Sequence, residues 1–291
     1  MPLSTAIVGS QVGEHVTHVT PRRIMAYAAG LSDYNARYFD DTRGEPLVAP
    51  PVFGVTLDWP LQERVAALMQ LDPVEARQAV HASHDMAFHR PVRAGDVLTT
   101  RGQVIGVEER SAGTYAVTRY ETSDGSGEPV LTVYYGRLFR GVGATGEPRW
   151  VERPPAQPSS GSGADSGPGW TSEIPIAPGL PHVYSECADI YNPIHTELSV
   201  AKAAGLPDII LHGTATLALA AREVVDRVCG GDPARLKRIA ARFAAMVLPG
   251  TTIRMEGSPG AAVDGVTPYR VVVFNASDQL ALRDSFALVA Q

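Results

Sequence analysis

Hydrophobic and polar positions follow the same succession of patterns twice along this chain. Between Gly213 and Val228, apolar residues recur at the spacing of one helix face, and charged residues fill the opposite face. Small residues dominate the first turns of this segment, so we expect the helix to lie close against a sheet. A comparable helical pattern follows Gly54. Each half of the chain is therefore predicted to contain one such helix.

Strand-like runs, rich in β-branched and aromatic residues, follow each predicted helix. The runs cover residues 96–107, 114–122, 128–139, 269–276 and 280–290. Turn sequences separate them, DGSG at 124–127 and NASD at 275–278. One helix followed by antiparallel strands, twice over, predicts an α+β protein.

The two halves also share individual residues in the same order. The matching pairs are Tyr27 with Tyr184, Asn35 with Asn192, Gly54 with Gly213, and the step Phe88 to Gly95 with the step Phe243 to Gly250. The first two pairs have the same offset of 157 positions. Several matches in one order indicate a tandem duplication of one domain.

The segment PPAQPSSGSGADSGPG, residues 154–169, separates the two copies. Its small, polar, Pro and Gly residues cannot bury apolar surface, so we expect residues 155–169 to be mobile. We predict an N-terminal domain over residues 1–150, a flexible linker over 151–170 and a C-terminal domain over 171–291. We also expect the two sheets to pair edge to edge, because an unpaired edge strand invites aggregation.

Composition narrows the class of protein. The chain has 291 residues, 44% hydrophobic and 19% charged, and a net charge of −6 with no long run of one sign. This charge pattern argues against a nucleic-acid partner. Two cysteines, Cys187 and Cys229, cannot form a disulfide framework and favour a reducing compartment. No secretory signal or membrane-spanning run is recognisable, so we expect a cytoplasmic protein without a membrane partner.

Two short motifs stand close together in the second half. DIYNPIHTE covers residues 189–197, and ILHGTA covers residues 210–215. The whole stretch YSECADIYNPIHTELSVAKAAGLPDIILHGTA resembles the hydratase-2 motif of the MaoC-like enoyl-thioester hydratases and dehydratases, and HRPVRAGDVL in the first half resembles another segment of that family. The resemblance implies a double hot-dog fold, in which an antiparallel sheet wraps around a central helix in each half.

The same resemblance implies a hydro-lyase. Members of this family add water to trans-2-enoyl thioesters of coenzyme A or acyl carrier protein, or catalyse the reverse dehydration. The implied partner is thus an acyl thioester, and no cofactor is expected. His81, His84 and His89 show no ligand spacing for a metal, so no metal is expected either. A homodimer of two such chains is compatible with these expectations.

Hydration places hydroxide character on C3 of the enoyl group and a proton on C2. An imidazole can accept and donate a proton near neutral pH, so His195 is the predicted acid–base residue. Negative charge develops on the thioester oxygen, and a backbone N–H at a helix start is a natural donor to it. Gly213 lies there, with no side chain to obstruct the thioester. Asn192 is expected to hold substrate, water or the loop.

Tyr184, His212 and Thr214 complete the predicted substrate-binding set with Gly213. Tyr184 is expected to form a wall of the pocket. For His212, contact with substrate and a packing role at the helix start both remain open.

Asp189 is also a predicted catalytic residue, but its spacing differs from the family motif. There the acid lies two positions before the Asn, where this chain has Ile190, whereas Asp189 lies three before. Either the extra residue still lets Asp189 reach the reacting water, or the acid role is lost.

The first half keeps the acid of the motif but lacks its histidine. Asp33 has the motif spacing to Asn35, but Tyr38 stands at the histidine position and Phe53 precedes Gly54. We therefore expect a degenerate half that shapes the acyl pocket.

Two other functions remain open. Hot-dog proteins also include acyl thioesterases, which usually carry a carboxylate on or near the central helix. After Gly213 the first carboxylate is Glu223, on the polar face of the predicted helix. A non-catalytic acyl-thioester-binding protein is the other alternative, although the intact Asn-Pro-Ile-His and His-Gly sequences argue against it.

Overall fold

The computed structural model describes residues 2–76, 79–158 and 168–291. The helices of the first half are α1 (Pro21–Gly30), α2 (Ala36–Phe39), α3 (Val55–Asp58), α4 (Gln62–Met69) and α5 (Pro73–Ala76). Its strands are β1 (Leu3–Ser4), β2 (Gln11–His18), β3 (Ala79–Phe88), β4 (Val97–Arg110), β5 (Gly113–Ser123), β6 (Pro129–Arg140), β7 (Ala144–Thr145) and β8 (Arg149–Trp150).

The second half repeats the arrangement with fewer short elements. Its helices are α6 (Leu180–Ala188), α7 (Leu198–Ala203) and α8 (Gly213–Val228). Its strands are β9 (Trp170–Pro175), β10 (Leu236–Phe243), β11 (Thr252–Pro259), β12 (Val266–Phe274) and β13 (Leu280–Ala290). Short 3-10 turns cover Thr5–Ile7, Pro51–Gly54, Trp59–Leu61, Pro193–His195 and Pro233–Arg235. None of the helices in the described ranges is long and apolar enough to cross a membrane.

The long strands form one continuous antiparallel sheet through both halves. Its order is β2-β4-β5-β6-β3-β10-β13-β12-β11-β9, with β8 added beside β4. The five strand-like runs noted in the sequence correspond to β4, β5, β6, β12 and β13. The predicted α+β class is confirmed. So is the tandem hot-dog arrangement, in which each half contributes an antiparallel sheet that packs on its own central helix. So is the predicted edge-to-edge pairing, which joins β3 to β10.

The seam between β3 and β10 contains a buried ion pair. Arg238 faces Asp85, with Nε 2.8 Å from Oδ1 and Nη2 2.6 Å from Oδ2. Both side chains are mostly buried, with 11% and 15% of their surface exposed. Removing one partner of such a pair typically costs about 3–5 kcal/mol, because the other charge stays buried without compensation. Arg238 and Asp85 thus help to fix the register between the halves.

The central helices differ between the halves. Helix α8 is continuous, and its buried small residues, including Ala218, Ala220 and Ala221, bring it close to the sheet as expected. The corresponding segment of the first half is divided into α3, a 3-10 turn and α4. Pro60 lies in that turn, and a proline inside a helix has no N–H for the helical hydrogen bond and interrupts it.

Helices α1 and α6 occupy equivalent places in the two copies and pack against each other. Their equivalent tyrosines meet, with the hydroxyl oxygens of Tyr27 and Tyr184 3.3 Å apart. A Cβ atom at Gly30 would lie 2.7 Å from Cys187 Cβ, so glycine permits this approach of the helices. The two copies are therefore related by an approximate twofold axis that passes near the tyrosine pair.

Of the predicted mobile stretch 155–169, residues 159–167 lie outside the described residues, and its mobility stays a prediction. The start of the stretch is held by the second half. The carbonyls of Pro155 and Ala156 accept hydrogen bonds from Arg238, at 2.8 and 3.1 Å. Gln157 donates to the carbonyl of Asp284 at 3.1 Å. The domain boundaries at 150 and 171 likewise remain predictions.

Candidate active site

The loop after α6 places the central histidine. Asp189 directly follows the last residue of α6, and its φ of 55° lies in the left-handed region. Asn192 then caps the 3-10 turn Pro193–His195, with its side-chain oxygen accepting from the Ile194 N–H at 3.4 Å. Pro193 stands at the first position of this turn, where its fixed φ suits the backbone. The turn directs His195 into the protein, where only 9% of the residue is exposed.

The hydrogen bond made by His195 defines its tautomer. Nδ1 lies 2.8 Å from the carbonyl oxygen of Ile210, and a carbonyl can only accept. Nδ1 therefore carries the hydrogen, and the lone pair lies on Nε2. Burial lowers the pKa of His195 to about 4, although the Ile210 hydrogen bond opposes this shift. The imidazole is neutral at pH 7 and able to accept a proton at Nε2.

His212 packs face to face on His195. The ring centroids are 3.7 Å apart, with an angle of 24° between the planes. Ser185 Oγ lies 3.1 Å from His212 Nε2 and fixes the ring from the other side. Burial, followed by the proximity of His195, lowers the pKa of His212 to about 2. His212 thus supports the His195 ring as a neutral partner, and the structure favours the packing role for it.

Helix α8 begins directly after His212. Among the described residues, no side chain caps this helix start, and the first N–H groups have no hydrogen-bond partner within the helix. Gly213 and Thr214 are partly exposed, whereas the next residues of the helix, 215–221, are buried. Thr214 Oγ1 accepts a hydrogen bond from the Tyr184 hydroxyl at 3.2 Å. The helix start therefore presents uncapped N–H groups beside the His195–His212 pair, which suits an oxygen that gains negative charge.

Asp189 does not join this group. Its side chain is 87% exposed, and its ion pair with Arg23, at 3.9 Å, lies on the surface. The left-handed backbone at the end of α6 sends the carboxylate outward, and buried Ile190 occupies the position of the motif acid. Of the three residues predicted to be catalytic, the structure brings His195 and Asn192 into one turn and leaves Asp189 outside it.

The equivalent site of the first half is closed. Asn35 caps α2 as Asn192 caps its turn, and it also donates to the Gly231 carbonyl at 2.8 Å. Tyr38, at the histidine position, is fully buried. Gly54 is buried as well, and a Cβ there would lie 2.4 Å from Leu131 Cδ2. The buried helix start of the first half therefore differs from the partly exposed start of α8, and the degenerate role of the first half stays a prediction.

Several contacts of the site escaped the sequence interpretation. These are Ser185 on His212, the Ile210 carbonyl on His195, Phe243 against Gly213, and Tyr27 on Tyr184. Only the last had a signal in the sequence, because the repeat places Tyr27 and Tyr184 at equivalent positions. Within the described ranges, no group of three or more His, Cys, Asp or Glu side chains is arranged to hold a metal ion.

Two family models match the chain, one in each half. Residues 6–133 match the FAS1-like dehydratase domain region, and residues 171–274 match the MaoC like domain. Together these two matches account for most of the chain.

Known proteins resemble the chain in sequence and in fold. Probable enoyl-CoA hydratase 2 of Dictyostelium discoideum is 26% identical over 189 residues, or 65% of this chain and 62% of that protein. Enoyl-CoA hydratase 2, peroxisomal, of Arabidopsis thaliana is 29% identical over 191 residues, or 61% and 59%. The chain spans about three fifths of the length of these relatives. The structure of a MaoC-like dehydratase from Phytophthora capsici matches over 98% of this chain and 96% of that chain, with a TM-score of 0.82 and 22% identity. The two proteins therefore share one fold.

Proposed function

Because the chain belongs to the MaoC-like dehydratase family, we propose that it is a hydro-lyase that adds water to enoyl thioesters or removes it from 3-hydroxyacyl thioesters. One observation carries this proposal. His195 is a buried neutral imidazole with its lone pair on Nε2, and it stacks on the residue that precedes the uncapped start of α8. A proton acceptor and an oxyanion site thus lie side by side.

In the proposed hydration, Nε2 of His195 takes a proton from water as the oxygen attacks C3. Electrons move through the double bond to the thioester oxygen, which becomes an enolate oxygen. Nε2 then delivers the proton to C2 and returns to the neutral state. One imidazole serves as base and then as acid, so the proposed cycle does not need the displaced Asp189. Asn192 holds the water through its amide.

The enolate oxygen binds at the start of α8. The N–H groups of Gly213 and Thr214 supply donors there, and the helix dipole adds favourable charge. Tyr184 donates to Thr214 Oγ1, which leaves the Thr214 hydroxyl hydrogen available for the substrate. Burial raises the pKa of Tyr184 to about 12, so its hydroxyl stays protonated as this role requires.

The thioesterase alternative receives little support from α8. Glu223, the helix carboxylate nearest to Gly213 in sequence, accepts from Ser172 at 2.6 Å and from Arg227 at 2.9 Å. Arg222 Nη2 donates to the other oxygen at 3.3 Å, so both carboxylate oxygens have structural partners. A hydrolytic base at this position would first have to lose them.

The proposed function is tested with a panel of trans-2-enoyl-CoA esters. We expect the enoyl absorbance to fall without release of free thiol, and the product to be a 3-hydroxyacyl-CoA. Equal release of thiol would identify a thioesterase instead. If no ester reacts but saturated acyl-CoA esters protect the protein against thermal unfolding, the chain is an acyl-thioester-binding protein. The same panel on acyl carrier protein decides which carrier is preferred.

The pH dependence of the reaction should reflect the low pKa of His195. Because kcat/KM reports the free enzyme, we expect its acidic limb to have a midpoint nearer to pH 4 than to the usual 6.5 of histidine. Stability should respond in the same direction. The unfolded chain takes up a proton at this histidine below about pH 6.5 while the folded site resists it, so the stability that His195 contributes should be lost between pH 6.5 and 4. A kinetic midpoint at 6.5 or above would contradict the buried neutral imidazole.

Replacing Asp189 by alanine should change kcat/KM by less than about fivefold, because its exposed ion pair with Arg23 contributes little. Arg23→Ala is the matched control, because it removes the same ion pair but keeps the Asp189 carboxylate. A large loss in Asp189→Ala alone would show that the carboxylate turns inward to the reacting water when substrate binds.

The cellular location and the self-association of the chain are also proposals. We propose a cytoplasmic protein, supported by the two free cysteines, Cys187 and Cys229. Self-association into a homodimer is a further proposal, which sedimentation would test.

A further inference from the structure

Polar side chains lie buried on the helix-facing side of the first-half sheet. Gln62 Nε2 donates to Asp58 Oδ1 at 2.9 Å, and Arg137 on β6 donates to Gln62 Oε1. The Arg137 guanidinium also lies 4.8 Å from the centre of the Tyr135 ring. We call Asp58, Gln62, Tyr135 and Arg137 the first-half polar cluster. Asp58 lies four residues after Gly54, as Leu217 of α8 lies four residues after Gly213, and both are buried. A polar side chain therefore stands where the second half has an apolar one.

The first-half polar cluster contains hydrogen-bonding atoms with no partner. Asp58 Oδ2 and Arg137 Nη1 are buried and make no hydrogen bond to the described residues, and the same holds for the Tyr120 hydroxyl and His84 Nε2 close by. Asp58, Tyr120 and His84 are at most 2% exposed. Buried polar atoms are almost always paired in proteins, so a set of unpaired ones indicates a bound ligand or water.

The charge of the first-half polar cluster selects the kind of ligand. Arg137 supplies the positive charge of the cluster, and it makes no ion pair with a carboxylate of the described residues. Burial raises the pKa of Asp58 to about 7, so this residue can hold a proton and act as a donor. Arg137 Nη1, the Tyr120 hydroxyl and protonated Asp58 are then buried donors that have no partner among the described residues. A carboxylate is the group that satisfies them.

A row of aromatic rings connects the first-half polar cluster to the reaction centre. A Cβ atom at Gly213 would lie 2.8 Å from Phe243 Cδ1. The centroids of Phe243 and His81 are 4.6 Å apart, and His81 stacks on Tyr135 at 3.8 Å. The first-half polar cluster thus lies at one end of a continuous row of packed rings, and Gly213, the proposed position of the thioester, lies at the other end.

We propose that the first-half polar cluster binds a carboxylate at the far end of the acyl chain, so that the preferred substrate is a dicarboxylic enoyl thioester. The proposal rests on the hydro-lyase function above and names its substrate class. Arg137 is the specificity-determining residue, because its Nη1 carries the positive charge and lacks a partner. His195 and Gly213 perform the reaction, whereas Arg137 contributes to binding alone.

The test compares dicarboxylic and monocarboxylic acyl chains of matched length. Glutaconyl-CoA and 2-hexenedioyl-CoA are assayed beside pent-2-enoyl-CoA and hex-2-enoyl-CoA. A charge-assisted hydrogen bond is expected to favour the dicarboxylic ester by about tenfold to a hundredfold in kcat/KM at one chain length. Arg137→Met should abolish this preference, mainly through KM.

Arg110→Met is a matched control, because Arg110 also covers a tyrosine ring, that of Tyr115 at 3.6 Å, but on the other face of the sheet. It should retain the preference. Tyr120→Phe removes one unpaired hydroxyl without changing the shape of the core. It should weaken the preference with no loss of thermal stability, and so it remains informative if Arg137→Met folds poorly.

Binding of saturated esters separates this proposal from the proposed function. Glutaryl-CoA should protect the wild-type protein against thermal unfolding more strongly than valeryl-CoA, and Arg137→Met should remove the difference. If this holds while no enoyl ester is hydrated, the carboxylate site stands and the hydro-lyase function fails. If enoyl esters are hydrated with no preference for a terminal carboxylate at either length, the carboxylate site is wrong and the function stands.

Discussion

Replacing His195 by alanine is expected to lower the hydration rate at least about a hundredfold while the fold survives, in line with the usual contribution of general acid–base catalysis. His195 Nδ1 is held by the Ile210 carbonyl, so Nε2 alone is left for the reaction. The loss should appear in kcat rather than KM, because the proton is transferred only as the reaction proceeds. Steady-state kinetics on an ester that the wild-type protein hydrates provide the measurement.

Tyr38→Phe is the matched control for His195→Ala, because the repeat places both residues at the same position of their copies. Tyr38 is fully buried and its hydroxyl has no partner among the described residues, so its loss should leave the rate nearly unchanged. Near-full activity of His195→Ala, together with an inactive Tyr38→Phe, would show that the catalytic half has been assigned wrongly.

Replacing Gly213 by alanine should reduce kcat/KM by about a hundredfold, because a misplacement of the thioester by about 1 Å is enough for such a loss. The new Cβ would lie 2.8 Å from Phe243 Cδ1, on the partly exposed side of the helix start. Either the Phe243 ring moves toward the acyl chain, or the helix start moves away from the enolate oxygen. Both changes separate the N–H donors from the charge they stabilise.

Gly54→Ala is the reciprocal experiment in the first half. Its Cβ would lie 2.4 Å from Leu131 Cδ2 and 2.5 Å from Met86 Cε, inside a closed core. We expect a destabilisation of about 1–3 kcal/mol from overpacking, with an unchanged rate below the melting temperature. If Gly54→Ala reduces the rate and Gly213→Ala only the melting temperature, the oxyanion site belongs to the first half.

The sequence was sufficient for the features that depend on local pattern. The repeat, the strands β4, β5, β6, β12 and β13, and the helix after Gly213 follow from the pattern of residues along the chain. The importance of the segment around Asn192 and His195 follows from the motif that these residues form. These features are patterns of the chain itself, so they can be recognised without knowing how the chain folds.

The outward direction of Asp189 could not be predicted in this way. It depends on one left-handed residue at the end of α6, and either side of the protein was compatible with the spacing to Asn192. Asp58 escaped notice for a different reason. Gln62 lies one helical turn away, but Arg137 comes from a distant strand, and only the folded sheet brings them together. Long-range polar contacts of this kind leave no periodic signal in the chain.

The seam between β3 and β10 lies within a single polypeptide, which affects how the protein can evolve. In an assembly of two identical chains, each substitution would appear on both sides of the seam, and loss of one histidine would mean loss of both. A fused pair is free of this constraint. Tyr38 can stand where its counterpart is His195, and Asp58 where its counterpart is Leu217. One copy can therefore specialise without altering the other, and dilution cannot separate them.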